Sequence, residues 1–413
     1  MITFSNIFLL LLVAGTVLQL WLARRQIKSV RAHAGTVPAS FADRVPLEAH
    51  QKAAAYTISK NHIAIIELVL GVAVLLAWTF GGGLEWLDQY WRSAGWKELY
   101  TGVGFLVSLS IISAVIDLPL SIYNTFVIEE RFGFNKTTPK LFVTDLFKGL
   151  VLSLLIGVPL VLVILWLMQF SGQYWWLYAW LFWSSFSLFM VWAYPTFISP
   201  LFNKFKPLED AEVMQRLEAL LTRTGFRSKG IFVMDGSKRS AHGNAYFTGM
   251  GKNKRIVFFD TLLKSLAPDE IEAVLAHELG HFKLNHIKKR IAMTFVLSLG
   301  GLALLGWLMH QQWFYAGLGV STASTYMALA LFMLAAPVFT IFLNPVFSWG
   351  SRKHEFEADA FAAKQTDATK LITALVKMYE ENAKTLTPDP LHSIFYDSHP
   401  PAPVRISHLQ AQH

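Results

Sequence analysis

Glu272-Ala273-Val274-Leu275-Ala276-His277-Glu278-Leu279-Gly280-His281-Phe282-Lys283-Leu284-Asn285-His286 is the stretch around which the chain is organised. Apolar residues at Ile271, Val274, Leu275 and Leu279 recur at the spacing of one helix face, so His277 and His281 stand one turn apart on the same side of a helix. Two imidazoles placed in this way grip one metal ion. Glu278 projects about 100° further round, too far to ligate beside them and well placed to hold a water on that metal, as in an H-E-x-x-H zinc hydrolase. The same short pattern also arises by chance, and paired histidines on a helix are often core or surface residues. A metal site therefore needs a further ligand elsewhere in the chain.

Working outward, the 413 residues are 54% hydrophobic and 15% charged. Water-soluble domains carry about a quarter charged residues, so this is the balance of a polytopic membrane protein. Cysteine is absent, which excludes disulfides, a thiolate nucleophile and Cys-ligated zinc and leaves His and carboxylate as ligands. The formal net charge of +8 fits basic inner loops attracted to anionic membrane lipid, and no nucleic-acid partner is expected.

Met1 to Ala23 carries no charge and is followed at once by Arg24-Arg25, with neither the basic start nor the cleavage site of a signal peptide. It reads as an uncleaved first span with Met1 outside, followed by a basic cytoplasmic loop to about Lys60. Further spans are expected at about 62–80, 99–118, 149–168, 173–194, 291–309 and 326–347, seven in all, with basic loops on the inner side and His413 inside. The expected fold is mainly α: residues 1–194 form a membrane region with spans one to five, 195–290 the first part of a cytoplasmic zinc domain, 291–347 spans six and seven, and 348–413 the rest of the catalytic domain. Within 195–290, an amphipathic helix near 208–224 precedes runs at Gly230-Ile-Phe-Val-Met, Asn244-Ala-Tyr-Phe and Arg255-Ile-Val-Phe-Phe that read as strands of a small sheet. Glu67, Asp117 and Asn344 fall in or at the ends of spans; they either hydrogen-bond between helices or line a wet cavity.

After the seventh span comes Ser351-Arg352-Lys353-His354-Glu355-Phe356-Glu357-Ala358-Asp359, helical by composition. Glu355 as third ligand completes a His, His, Glu plus water site, with one Zn2+ per chain. Asp359, one turn on, is placed to accept the Nδ1 proton of a ligating histidine. Glu357 competes as ligand but points some 200° away from Glu355, and His354 is a further alternative.

The two halves together, His277-Glu278-Leu279-Gly280-His281 and Glu355-x-x-x-Asp359, resemble gluzincin metalloproteases. Tyr123-Asn-Thr-Phe-Val-Ile-Glu-Glu, Gly236-Ser-Lys-Arg-Ser, Asn244-Ala-Tyr-Phe, Lys254-Arg-Ile-Val-Phe-Phe-Asp-Thr-Leu and Ser398-His-Pro-Pro resemble the integral-membrane type I CAAX prenyl endopeptidase family, and the likeness runs from the second span to Arg405. The resemblance implies seven membrane helices around a water-filled chamber, capped by an α+β zinc protease domain. It implies that Asn244 holds the substrate backbone beside an edge strand, and that His399 and Arg405 bind the peptide, with His399 steadying the oxyanion. His399 alone reads equally as a histidine starting a helix before Pro400.

The function expected is a membrane zinc endopeptidase: His277, His281 and Glu355 hold the ion, Glu278 is the acid/base, and the substrate is a peptide or protein, in the family one whose C-terminal CAAX cysteine is prenylated. The membrane would be a bacterial inner membrane or an endoplasmic reticulum. Two alternatives are a quality-control protease of the HtpX-like kind, which would favour about four spans, and a metal-regulated channel or transporter, which would show symmetric broken segments.

Overall fold

Seven helices of the computed structural model, which describes residues 3–248 and 254–411, are long and apolar enough to cross a membrane: Phe4–His33, Leu47–Trp78, Glu98–Glu129, Pro139–Phe170, Gly172–Phe202, His286–Leu308 and Thr325–Gln365. Met1 and His413 lie outside the described residues. The first five run 30 to 32 residues, about 45–48 Å at 1.5 Å per residue, well beyond a hydrocarbon core of about 30 Å. Much of the stretch 24–60 expected as a loop is therefore helix, since the first span continues to His33 and the second already begins at Leu47. Charges mark where hydrocarbon ends, whereas backbone hydrogen bonding carries a helix on into water.

The spans form a ring in the order second, first, seventh, sixth, fifth, fourth, third, closed where the second meets the π turn Asn124–Glu129 at the end of the third. One end is sealed by a cluster drawn from all seven, including Phe8, Trp78, Phe105, Leu165, Leu305 and Tyr326. There Asp88, buried on the short helix Gly83–Ser93, accepts bonds from Tyr326 Oη at 2.5 Å and Arg92 Nε at 2.8 Å. Elsewhere packing is sparse: in spans two to six no more than 17% of the apolar window is buried. Such helices are left open over most of their surface. Glu67 and Asp117 are exposed and Asn344 partly so, and two carboxylates within spans are tolerable only where their open side is wet.

The other end is capped by the protease domain. Its sheet has the order β1-β2-β4-β3, with β1 (Phe205–Pro207), β2 (Ile231–Met234), β3 (Ala245–Thr248) and β4 (Arg255–Phe259). The three expected runs are β2, β3 and β4; β1, too short for a periodic signal, pairs antiparallel with β2. β2 and β4 are parallel, and β3 lies antiparallel at the edge with Tyr246 opposite Val257. The amphipathic helix Ala211–Arg223 begins at Asp210, whose carboxylate accepts the Val213 N–H at 3.0 Å, and its buried Leu217 and Leu220 share a core with Phe258, Ile271, Leu275 and Leu371.

No linker joins this domain to the membrane region. The histidine helix Pro268–Lys283 is separated from the sixth-span helix His286–Leu308 only by Leu284 and by Asn285, whose φ of 58° turns the chain. The seventh-span helix Thr325–Thr340 passes through the turn Ile341–Leu343 directly into Asn344–Gln365, which carries Glu355. Side chains from the family-like motifs pin the rest. Arg239 forks onto Asp145 at the start of the fourth span at 2.7 and 2.9 Å. Glu129 accepts Tyr56 Oη at 2.8 Å and Lys60 Nζ at 3.2 Å from the second span, with His242 Nε2 at 3.4 Å from the protease domain.

Candidate metalloprotease site

Pro268 sits in the first turn of the histidine helix, where its missing N–H costs nothing, and the Glu270 carboxylate accepts the Ala267 N–H at 2.7 Å. The helix then buries Ile271, Val274, Leu275 and Leu279, which aims His277 and His281 at the Glu355 helix. Gly280 permits the contact: a Cβ there would lie 2.9 Å from Ala358 Cα, closer than real side chains approach.

The two Nε2 atoms of His277 and His281 are 3.2 Å apart. Glu355 Oε1 lies 3.2 Å from His281 Nε2, and Glu355 Oε2 lies 3.5 Å from His277 Nε2. Ligands held about 2.0–2.1 Å from a tetrahedral ion are about 3.3–3.4 Å from each other, so the three groups already have the right separations. Glu355 Oε2 is buried and accepts no hydrogen bond. A buried carboxylate oxygen without a hydrogen bond is costly, and beside the Arg405 guanidinium 3.5 Å away a metal ion among the three side chains would complete its partners. The donor set fits a divalent metal.

Each histidine is held from behind. Asp359, fully buried, lies 2.8 Å from His277 Nδ1 and is gripped by Arg405, through Nε at 2.8 Å and Nη2 at 2.5 Å. Burial alone would depress His277, but the Asp359 and Glu355 carboxylates outweigh it and raise the metal-free imidazole to about 9. Arg405, expected to bind peptide, is thus engaged beneath the ligands, with Nη1 3.5 Å from Glu355 Oε2, while still bordering the cavity. His281 Nδ1 meets His286 Nδ1 at 3.0 Å, and His286 Nε2 meets Glu357 Oε2 at 2.9 Å. With Nε2 of His281 turned to a metal, its Nδ1 proton is donated to His286, which in turn donates to Glu357. Sequence reasoning assigned no role to His286, and the signal was there: a histidine five residues past the second ligand. Glu357 does point away from Glu355, as the helix period requires, and its target is this relay. His354 stacks on His286 at 4.1 Å and groups with it and Glu357, not with His277.

A cavity of about 810 Å³ opens beside the histidines, bordered by Asn244, His277, Glu278, Asn382, His399 and Arg405. Burial pushes the Glu278 carboxyl above the usual carboxylate range, against the pull of His277 and His281. The side chain of His399 is 60% exposed, and its Nε2 is 3.5 Å from Glu355 Oε1. Asn244 immediately precedes the edge strand β3 and is exposed. Asn382, which no motif marked, fixes that approach by accepting the Gly243 N–H at 3.1 Å and meeting His242 Nδ1 at 3.0 Å.

Known proteins share this plan. Residues 26–204 match the family described as CAAX prenyl protease N-terminal, five membrane helices, and residues 207–413 match peptidase family M48. The chain is 36% identical over 414 residues to the CAAX prenyl protease 1 homolog of Arabidopsis thaliana, covering 96% of this chain and 95% of that one. It is 40% identical over 322 residues to CAAX prenyl protease 1 of Saccharomyces cerevisiae, covering 74% and 71%. The crystal structure of S. mikatae Ste24p matches with a TM-score of 0.90 at 33% identity, covering 99% of each chain. With its spans, its H-E-x-x-H helix and both halves accounted for, the chain belongs to the CAAX prenyl protease 1 family of M48 peptidases, and is a multi-pass integral membrane metalloendopeptidase.

Proposed function

We propose that this protein is a zinc endopeptidase acting on proteins with a prenylated C-terminal CAAX cysteine, cutting just after that cysteine. The observation that carries the reading is the continuity of both ligand helices with spans six and seven. That continuity supports the reading because it would keep the reacting atoms close to the ends of the spans, within reach of a lipidated tail. His277, His281 and Glu355 would hold the zinc, which supplies a Lewis acid that polarises the scissile carbonyl and acidifies a bound water. Glu278, which borders the cavity beside the histidines, takes the proton of the attacking water and returns it to the leaving amine. Asp359, braced by Arg405, and His286, braced by Glu357, keep each ligand's Nδ1 protonated and its Nε2 free for metal.

The peptide adds to the free edge of β3 through main-chain bonds, which read little of its sequence. Asn244 adds a bond to its backbone, and His399 donates to the developing oxyanion. The losses should separate kinetically: Asn244→Ala raises KM, whereas His399→Ala lowers kcat by about 100-fold or more. A wild-type kcat in His399→Ala with full metal content would return that residue to a structural role. The substrate assignment is tested with the full chain in nanodiscs given a prenylated and an unprenylated CAAX peptide. Chelator-sensitive cleavage that favours the prenylated peptide is expected; equal rates on both would remove prenylation from the reading.

Basic loops support a cytoplasmic catalytic side. The chain has no native cysteine, so Ser321→Cys, between spans six and seven, should react with an impermeant maleimide from outside only. Reaction solely from the cytoplasmic side would invert the arrangement.

A further inference from the structure

The exposed face of the first helix reads Leu10, Val13, Val17, Trp21, Arg24, Lys28 and Arg31, each three or four residues from the last and so one continuous stripe. The opposite stripe, with Phe8, Leu12, Leu22, Gln26 and Val30, is buried. The upper part is a shallow apolar groove in which Leu10 is 68% and Val17 59% exposed. Below it, between the first and second helices, lies a cavity of about 610 Å³ bordered by Arg24, Lys28, Arg31, Ile27, His62 and Ile65. None of Arg24, Lys28 and Arg31 makes an ion pair or side-chain hydrogen bond to a described residue, whereas Arg25, round the helix, is forked onto Asp389 at 3.1 and 2.9 Å.

Three unpaired cations on one stripe, spread over about 10 Å of helix, make a concentrated positive site that attracts an anion. Their depth decides which anion. The uncharged run ends at Ala23, so the cations lie where headgroups lie and the groove above them where acyl chains lie. We infer that this stripe binds one anionic glycerophospholipid, its phosphate among Arg24, Lys28 and Arg31 and an acyl chain along Leu10 to Trp21. The buried face of the same helix serves the active site: Gln26 borders the catalytic cavity and accepts the Asp389 N–H at 2.7 Å. Asp389 caps the helix Pro390–Tyr396 that leads to His399. The bound lipid thereby steadies the helix to which the His399 segment is tied.

The absence of cysteine makes the test direct. Val17→Cys carries a fluorophore in phosphatidylcholine nanodiscs containing a small fraction of doxyl-labelled phosphatidylglycerol or, separately, doxyl-labelled phosphatidylcholine. Quenching should report enrichment of the anionic lipid by on the order of 10-fold. The enrichment should vanish in the combined Arg24→Gln, Lys28→Gln, Arg31→Gln variant and be absent from a label at Leu155→Cys, on the exposed side of the fourth span. Inorganic phosphate should leave it unchanged. Equal quenching by the two lipids at Val17→Cys, or enrichment that survives the triple substitution, would overturn the inference. Abolition by inorganic phosphate would do so too, making free phosphate the ligand.

Discussion

Glu278→Gln is expected to keep its metal and lose turnover by about 10²- to 10⁴-fold, the usual worth of a positioned acid/base. Glutamine fills the same space and accepts a hydrogen bond, but it takes up no proton. Glu278 borders the cavity on the same helix as both histidines and is absent from the ligand group His277, His281 and Glu355. Metal content, measured on the same preparation as kcat, therefore separates a lost base from a lost ligand. A variant that holds full metal and turns over at the wild-type rate would move the acid/base role to another residue.

Replacing the ligands should give a graded series read out by metal binding itself. His277→Ala, His281→Ala and Glu355→Ala would each remove one of the three proposed ligands, and metal should be lost on passage through a mild chelator. His286→Ala leaves all three ligands but removes the acceptor for the His281 Nδ1 proton, so affinity should fall by about 10- to 100-fold. His286→Gln restores an acceptor and a donor in one side chain and should recover most of that loss. His354→Ala removes only a stacked ring and should bind as wild type. Competition with a chromophoric chelator gives all the affinities. Wild-type affinity in His286→Ala would remove the relay, and a second metal per chain, lost with His354, would turn that cluster into a metal site of its own.

Two features made much of this plan readable from residues alone. Helix period placed His277 and His281 together and turned Glu357 away from Glu355, because those relations are set within a single helix by its geometry. Charge and hydropathy gave the number of spans, because each crossing must satisfy the same solvent constraint wherever its neighbours are. The ends of the spans were not readable. Hydropathy reports lipid contact, and the helices Phe4–His33 and Leu47–Trp78 continue past it into water. β1 gave no signal because three residues show no period and its partner β2 lies far along the chain.

The amino-acid sequence by itself determined that a membrane protein without cysteine carries a His-Glu-x-x-His helix, a second helix with Glu355 and Asp359, and a run of apolar spans around them. Those are local properties of periodicity and solvation. Only the tertiary structure decided that Gly280 lets the two helices touch at Ala358, that Arg405 forks onto Asp359, and that His286 stands between His281 and Glu357 within hydrogen-bond reach of both. Asp359 and Arg405 are 46 positions apart, His286 and Glu357 are 71, and His281 and His286 lie on successive helices. Such partnerships arise when packing brings separate helices to contact distance and burial makes every polar group in that contact find a partner.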